Sequence, residues 1–509
     1  MKEKKWANFK SGSDIRGFGI SSDCAENTLY LSDTVISQII NGFALWLNKR
    51  TNENLNKMSV SVGHDSRLSA QRIKGNVISV LNGLGIRVLD CGLSSTPAMF
   101  MTTVDLDCLG AIQITASHHP YDRNGFKFFT RDGGLDGKDI DKILMFAQNN
   151  LFASSGIIGS VERVHYMDIY AAHLRSMICS EIQAADYDKP LTGYKIVVDA
   201  GNGVGGFYAI NVLEPLGADI SGSLYLDPDG SFPNHAPNPE DEEAMKAIST
   251  AVIDVNADFG IIFDTDVDRA ACVSKGGGTI NRNRLIALAA AVTLEKNAGA
   301  VIVTDSITSD GLTAFIEDCG GRHFRYKRGY KNVIDKQMEL TRDGVNCPLA
   351  IETSGHASFS ENYFLDDGAY LITKLIIKMA LLGRQNKSLE DLIANLKEPL
   401  EENEVRFKIA AEDFRTYGET VIQKVQEHAA QQEGWHAVED NYEGVRVSTD
   451  SNNGCGWFLL RLSVHDPVMA LNAESDVSGG IKLMFTVLRE VLKDFEKLNI
   501  SDLNTAIDE

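Results

Sequence analysis

The sequence predicts an α/β protein of several domains that ends in a smaller α+β domain, and three observations predict it. Apolar, strand-like runs alternate with helical patterns over the first 390 residues or so, the arrangement that gives mostly parallel, doubly wound sheets. Three times a β-rich run ends in Gly with Asp, Ser or Thr: KIVVDAGNGVGG (195–206), ADFGIIFDTDVDR (257–269) and AVIVTDSITSDG (300–311). With 509 residues the chain exceeds what one hydrophobic core supports, so three or four domains of about 100 to 150 residues are expected.

The elements follow in order. MSVSVGHD followed by QRIKGNVISVLNGLG, and AVIVTDSITSDG followed by LTAFIEDCG, read as strand and helix units. The proline-rich DPDGSFPNHAPNPE (227–240) cannot be helix interior and reads as a long ordered loop. From about residue 396, EPLEENEVRFKIA marks a linker. Beyond it a helix (DFRTYGETVIQKVQEHAAQQ), short strands (GVRVST, GWFLLRLS) and a final helix (GGIKLMFTVLREVLKDFEKL) make the α+β domain.

Composition narrows the function. The formal charge is -21 and 43% of residues are apolar, which describes a soluble, well-packed protein and argues against nucleic acid as a partner. An acidic chain that handles an anionic substrate must concentrate its Arg and Lys locally, because the global field repels the ligand. The eight cysteines lack C-x-x-C spacing, which suggests neither a zinc ribbon nor a dithiol centre, only buried reduced thiols. No apolar run reaches the ~18 residues of a membrane span, and MKEKKWANFKSGSD has no apolar region behind its basic start. The expected location is the cytoplasm, with no membrane partner.

The metal candidate is FDTDVDR. Asp264, Asp266 and Asp268 are spaced i, i+2, i+4, so an extended segment or a tight loop brings them to one side. Three converging carboxylates repel one another unless a cation lies between them, and such hard oxygen ligands suit Mg²⁺ or Ca²⁺. A calcium loop fails on counting, because its sixth position is Arg269 where glycine is needed and its twelfth is Lys275 where a bidentate Glu is needed. A solvated acidic turn is the alternative, weakened by FGIIF just before it, which reads as a buried strand.

A second candidate is AIQITASHHP (111–120), a strand-like run ending in Ser117. The serine is not in the G-x-S-x-G setting of a hydrolase elbow. It is compatible with a phosphate acceptor that supplies oxygens to a nearby cation, or with a helix cap or turn before Pro120.

Together, TASHHPYDRNGFKFF, DTDVDR and IETSGH resemble the α-D-phosphohexomutase superfamily, in its phosphomannomutase/phosphoglucomutase branch, over nearly the whole chain. Thr115, Ala116, Ser117, His118, Pro120, Asn124, Gly125 and Lys127 match the family's phosphoserine loop, with His119 replacing the usual Asn. The resemblance implies three consecutive mixed-sheet α/β domains and a smaller C-terminal α+β domain around a central cleft. The expected divisions are 1–163 with the phosphoserine loop, 164–276 with the metal loop, 277–395 with the sugar loop and 396–509 with the phosphate loop.

It also implies roles. Ser117 donates and regains the phosphoryl group and, with Asp264, Asp266 and Asp268, holds Mg²⁺. SGSDIRG (11–17) places Arg16 beside the phosphoserine, and GHDSR (63–67) places Arg67 behind it. His118, Lys127, Arg16 and His356 complete the catalytic set, with Lys127 or His356 handling the hydroxyl proton. IETSGH (351–356) is similar to the sugar loop and gives Glu352 and Ser354 to two sugar hydroxyls; Ile351 replaces its Gly. His356 on its own is also compatible with a capping or core histidine. YKRGYKNV (326–333) supplies Lys327, with Tyr330 where His is common, and Arg269 is a further substrate contact. RLSVHDP (461–467) takes the place of the phosphate-gripping loop, with Arg461, Ser463 and His465 as ligands.

The implied reaction is interconversion of hexose 1-phosphate and hexose 6-phosphate, of mannose, glucose or both, with hexose 1,6-bisphosphate as intermediate and activator. The expected partners are small hexose phosphates, and the expected state is a monomer or homodimer. A phosphoglucosamine mutase and a non-catalytic sugar-phosphate-binding homologue are the alternatives.

Overall fold

The computed structural model describes residues 6–20, 29–463 and 466–508. They form two compact units, Met1–Val292 with Ser354–Ile393, and Thr293–Thr353 with Ala394–Glu509. Among the described residues no helix is long and apolar enough to cross a membrane.

The first unit holds two sheets. One runs in the order Lys10–Ser11, Asp14–Phe18, Arg123–Thr130, Gly110–Ile114, Ser59–His64, Arg87–Leu93, Val161–Arg163. Ser59–His64 is parallel to both Arg87–Leu93 and Gly110–Ile114, as the strand and helix alternation predicts. Arg123–Thr130 is antiparallel to Gly110–Ile114, which makes the sheet mixed, as the family resemblance implies, and not mostly parallel as the strand and helix alternation alone suggests. The reason is chain length: the connection over 115–122 is shorter than the dozen or more residues a parallel crossover needs. Helices Asp33–Thr51, Ala70–Gly83 and Gly137–Gln148 bury Phe43, Val77, Leu81 and Ile143 against Val60, Val62, Ile112 and Phe128 of the strands.

The second sheet orders Thr279–Ile280, Ala270–Ser274, Phe259–Phe263, Ile196–Asp199. Phe259–Phe263 is parallel to Ile196–Asp199 and antiparallel to Ala270–Ser274, so DTDVDR becomes a tight connection between two buried strands. The stretch 227–240 is an ordered loop without helix, as its prolines predict, and His235 pins it to Asp199 at 2.9 Å. A short hairpin, Ala357–Phe359 with Leu365–Asp366, and helix Gly368–Gly383 also belong to this unit.

In the second unit, Val301–Thr304 lies between Arg322–Arg325 and Leu349–Ile351, all parallel, with helices Asp310–Asp318 and Tyr330–Arg342. The C-terminal domain is an antiparallel sheet ordered Trp435–Ala437, Val445–Thr449, Gly456–Leu462, Val468–Ser475, Glu401–Ile409, Leu498–Asn499. It packs on helices Phe414–Ala429 and Gly480–Leu492. The expected linker is therefore a strand: in Glu401–Ile409 the residues Val405, Phe407 and Ile409 are buried in alternation while their neighbours stay exposed. The final helix ends at Leu492, and the chain returns through Leu498–Asn499 to a further short helix, Ser501–Asp508.

Candidate functional site

Ser117 sits on the connection 115–122 with φ of 51°, the left-handed region that a non-glycine residue enters only when its surroundings over-determine it. Arg67 does so. Its guanidinium is fully buried and donates to the carbonyl oxygens of Ser117 (2.5 Å), His119 (2.6 Å), Pro120 (2.6 Å) and Arg123 (3.1 Å). Asp65 neutralises it at 3.2 Å and also accepts from the Thr115 hydroxyl at 2.7 Å; that hydroxyl in turn accepts from the Ser117 amide. Arg16 donates to the Thr115 carbonyl at 2.5 Å and pairs with Asp14 at 2.7 Å. The loop is thus held by two arginines, and the Ser117 hydroxyl donates to Asp264 Oδ2 at 3.2 Å.

The three aspartates converge. Asp264, Asp266 and Asp268 are all buried, and each offers one carboxylate oxygen within 4.8 Å of the others. The tight connection forces Val267 to φ of 66°, strained for a β-branched residue. Arg269 holds Asp264 through its own amide (3.2 Å) and Nε (3.1 Å), and reaches Asn238 (3.1 Å) and Glu240 (3.6 Å) on the proline-rich loop. Lys127 bonds Asp268 and lies 3.2 Å from Asp266. Burial and the charges of Asp268 and Asp266 push the Asp264 carboxyl well above the usual range. For Asp268 burial acts upward too, but Lys127, His356 and Arg269 hold it below the usual value. Even with these cations, the Oδ1 atoms of Asp266 and Asp268 are buried and accept no hydrogen bond among the described residues, the latter having only the His356 ring 4.0 Å away. Buried carboxylate oxygens without a donor are costly, and a hard divalent cation satisfies them, so the residues present fit a metal site.

Three histidines surround these groups. His118 Nδ1 is 3.3 Å from the Ser117 hydroxyl, and its ring stacks on His119 at 5.1 Å. Burial, reinforced by Arg269, pushes His118 down to about 2, and burial with Arg16 pushes His119 down to about 4, so both rings are neutral near pH 7. His356 behaves oppositely. Burial disfavours its charge, but Asp366 at 2.5 Å and Asp268 at 4.0 Å outweigh it and raise the imidazole to about 9.

The second unit carries a different set. Glu352 is buried and accepts from the Gly329 amide at 2.6 Å, while Thr353 is anchored through its amide (3.2 Å) and hydroxyl (2.7 Å) to Asp305. Lys327 is exposed, its ammonium 5.9 Å from the Tyr326 ring, and Tyr330 opens the helix Tyr330–Arg342. Arg461 lies 4.0 Å from Glu443, which also accepts from the Ser306 hydroxyl (2.6 Å) and the Arg328 amide (3.1 Å). The Ser463 hydroxyl accepts from the Asp466 amide at 3.3 Å. His465 lies outside the described residues. The division between the units falls inside the sugar-loop motif, with Glu352 in the second unit and Ser354 and His356 in the first.

The structure therefore brings Arg16, Ser117, His118, Lys127, Asp264, Asp266, Asp268, Arg269 and His356 together within the first unit. It adds residues that the motifs did not single out: Asp366 on His356, Asn238 and Glu240 on Arg269, Thr96 on Asp266, and Asp305 and Glu443 in the second unit. Asp65 was within a quoted motif, GHDSR; Asp366, in FLDDG, had no signal beyond an acidic pair.

Comparison with known proteins places these observations. Domains I, II and III of phosphoglucomutase/phosphomannomutase, each described as α/β/α, match residues 13–154, 168–277 and 281–399. A phosphomannomutase/phosphoglucomutase of Pseudomonas aeruginosa is 33% identical over 435 residues, covering 85% of this chain and 87% of that one. A phosphoglucomutase/phosphomannomutase of Thermococcus kodakarensis is 28% identical over 441 residues, covering 85% and 90%. Among solved structures, a phosphoglucomutase/phosphomannomutase family protein of Burkholderia thailandensis superposes with a TM-score of 0.79 at 27% identity, covering 97% of this chain and 98% of that one.

Proposed function

The chain belongs to the phosphoglucomutase/phosphomannomutase family of the α-D-phosphohexomutase superfamily, and from that premise we propose that it interconverts hexose 1-phosphates and hexose 6-phosphates through a phosphoryl group carried on Ser117. The observation that carries this reading is the hydroxyl of Ser117 directed at Asp264, 3.2 Å away, beside the buried aspartate cluster. Phosphoryl transfer asks little covalent help of a protein beyond positioning, charge neutralisation and proton handling, and each has a group in the first unit.

Positioning comes from Arg67 and the strained Ser117 backbone. Arg16 bonds the Ser117 loop, Lys127 and Arg269 bond the aspartate cluster, and the three neutralise charge on the transferring group. Asp264, Asp266 and Asp268, with an oxygen of the Ser117 phosphate, would hold Mg²⁺, which when bound draws off charge developing on the phosphoryl oxygens. His118, its Nδ1 3.3 Å from the Ser117 hydroxyl, borders the transferring group. Lys127 or His356, in its neutral form, takes the proton of the attacking hydroxyl and returns it to the oxygen that loses its phosphoryl group, with Asp366 orienting the His356 ring.

The sugar monophosphate takes the phosphoryl group at its free position, giving a hexose 1,6-bisphosphate. This turns end for end and returns its other phosphate to Ser117, so a trace of bisphosphate acts as activator. Glu352 and Ser354 take two sugar hydroxyls. Lys327 adds positive charge on the substrate side. Arg461, Ser463 and His465 take the phosphate that is not transferred.

The test is conversion of glucose 1-phosphate to glucose 6-phosphate with Mg²⁺ and a trace of glucose 1,6-bisphosphate, in wild type and Ser117→Ala, repeated with mannose and glucosamine phosphates. Turnover with glucose or mannose phosphate that the substitution abolishes supports the reading. Turnover with glucosamine phosphate alone replaces it by the glucosamine mutase, and turnover that survives Ser117→Ala contradicts it.

A further inference from the structure

One residue outside the aspartate cluster holds Asp266 by both its backbone and its side chain. Thr96 is the first residue of helix Thr96–Asp105, whose cap Ser95 accepts from the Ala98 amide. First-turn amides have no acceptor within their own helix. The Thr96 amide donates instead to the Asp266 carbonyl oxygen at 2.8 Å, and the Thr96 hydroxyl donates to Asp266 Oδ2 at 2.5 Å.

These two bonds decide which oxygen of Asp266 is available. Oδ2 is taken by Thr96 and lies 3.2 Å from Lys127, whereas Oδ1 is buried and has no partner among the described residues. The carboxylate cannot exchange its oxygens by rotation without breaking the Thr96 bond, and the backbone cannot shift without breaking the amide bond. We propose that Thr96 is a positioning residue for the cation site: its hydroxyl fixes the Asp266 carboxylate so that Oδ1 is the atom presented to a divalent cation.

This deepens the metal reading of Asp264, Asp266 and Asp268 and rests on it. Hydrogen bonds that orient a ligand set its affinity, and losing one costs on the order of 10- to 100-fold in metal binding. Thr96→Val keeps the shape and the amide bond but removes the hydroxyl donor, leaving the carboxylate free to turn toward Lys127. Thr96→Ser keeps the donor.

The experiment is a Mn²⁺ titration of the full chain followed by electron paramagnetic resonance, with Mg²⁺ as competitor. Thr96→Val is expected to weaken Mn²⁺ binding by about tenfold or more, and Thr96→Ser to stay near wild type. Thr102→Val is the control. It lies on the same helix, where its hydroxyl bonds Ser61 at 2.5 Å and the Met99 carbonyl at 2.6 Å, so its loss loosens the helix without touching Asp266. It is expected to lower the melting temperature and leave Mn²⁺ affinity at the wild-type value.

Equal affinity of Thr96→Val and wild type overturns the inference, as does an equal loss in Thr102→Val. A wild-type chain that takes up no Mn²⁺ removes the cation reading itself, a result distinct from wild type and variant binding alike.

Discussion

Arg67 Nη2 donates to the Ser117 carbonyl oxygen at 2.5 Å, and the other guanidinium bonds end on the same loop, on Arg123 at the start of the next strand, or on Asp65. A planar fork with five donors suits this task, and a single ammonium does not. Arg67→Lys should therefore leave loop carbonyls unsatisfied and Asp65 poorly paired in a fully buried place. The expected outcome is a loss of about 3 kcal/mol or more in denaturant unfolding and a fall of kcat by ~100-fold.

Gly329 has φ of 117°, a backbone conformation L side chains rarely adopt, and its amide holds Glu352 at 2.6 Å. Gly329→Ala should shift this amide and release the Glu352 carboxylate. KM for hexose phosphate is expected to rise by about tenfold, with phosphorylation of Ser117 unaffected, as read by steady-state kinetics beside phosphopeptide mass spectrometry.

Arg461 has its guanidinium 4.0 Å from Glu443, a separation that offsets charge without engaging the fork. If the fork grips the phosphate that is not transferred, Arg461→Lys should raise KM by about tenfold or more because bidentate pairing is lost. An unchanged KM would show that RLSVHDP does not bind phosphate in this chain.

Glu474, on strand Val468–Ser475 of the C-terminal domain, gives a pH dependence of stability. Burial, offset in part by the Trp457 bond and Arg446, raises its carboxyl to about 7, against an ordinary glutamate value of 4.5. The folded state therefore keeps a proton that the unfolded chain has released between pH 4.5 and about 7. Stability should fall as pH rises through that window, with the full penalty, at most about 3 kcal/mol, present above it. Melting curves of wild type and Glu474→Gln, recorded across that window, should converge at its acid end and separate at neutral pH with the variant the more stable.

Much of this was legible in the sequence because it is written in local patterns. The strand and helix alternation gives the α/β layers, and the aspartate spacing in FDTDVDR gives the cluster that the tight connection closes. The serine loop is legible as a strand end followed by turn residues. The antiparallel return of Arg123–Thr130 follows from a short connection, which can be counted but not seen in periodicity. The strand Glu401–Ile409 was hidden because its exposed half is charged, and only the alternation of Val405, Phe407 and Ile409 betrays it. Partners made by folding have no sequence signal: Thr96 supports Asp266 only because a distant segment reaches it, and Asp366 meets His356 only because the short hairpin turns back on it.

The central claim is that Ser117 carries the phosphoryl group, and the most direct measurement is its location. The chain is incubated with glucose 1,6-bisphosphate and Mg²⁺, digested, and mapped by mass spectrometry, and a parallel sample is mixed with glucose 1-phosphate. The account predicts phosphate on Ser117, consumed in a single turnover as glucose 1,6-bisphosphate reappears. Phosphate on another residue, or an unphosphorylated chain that still interconverts the two hexose phosphates, would contradict it.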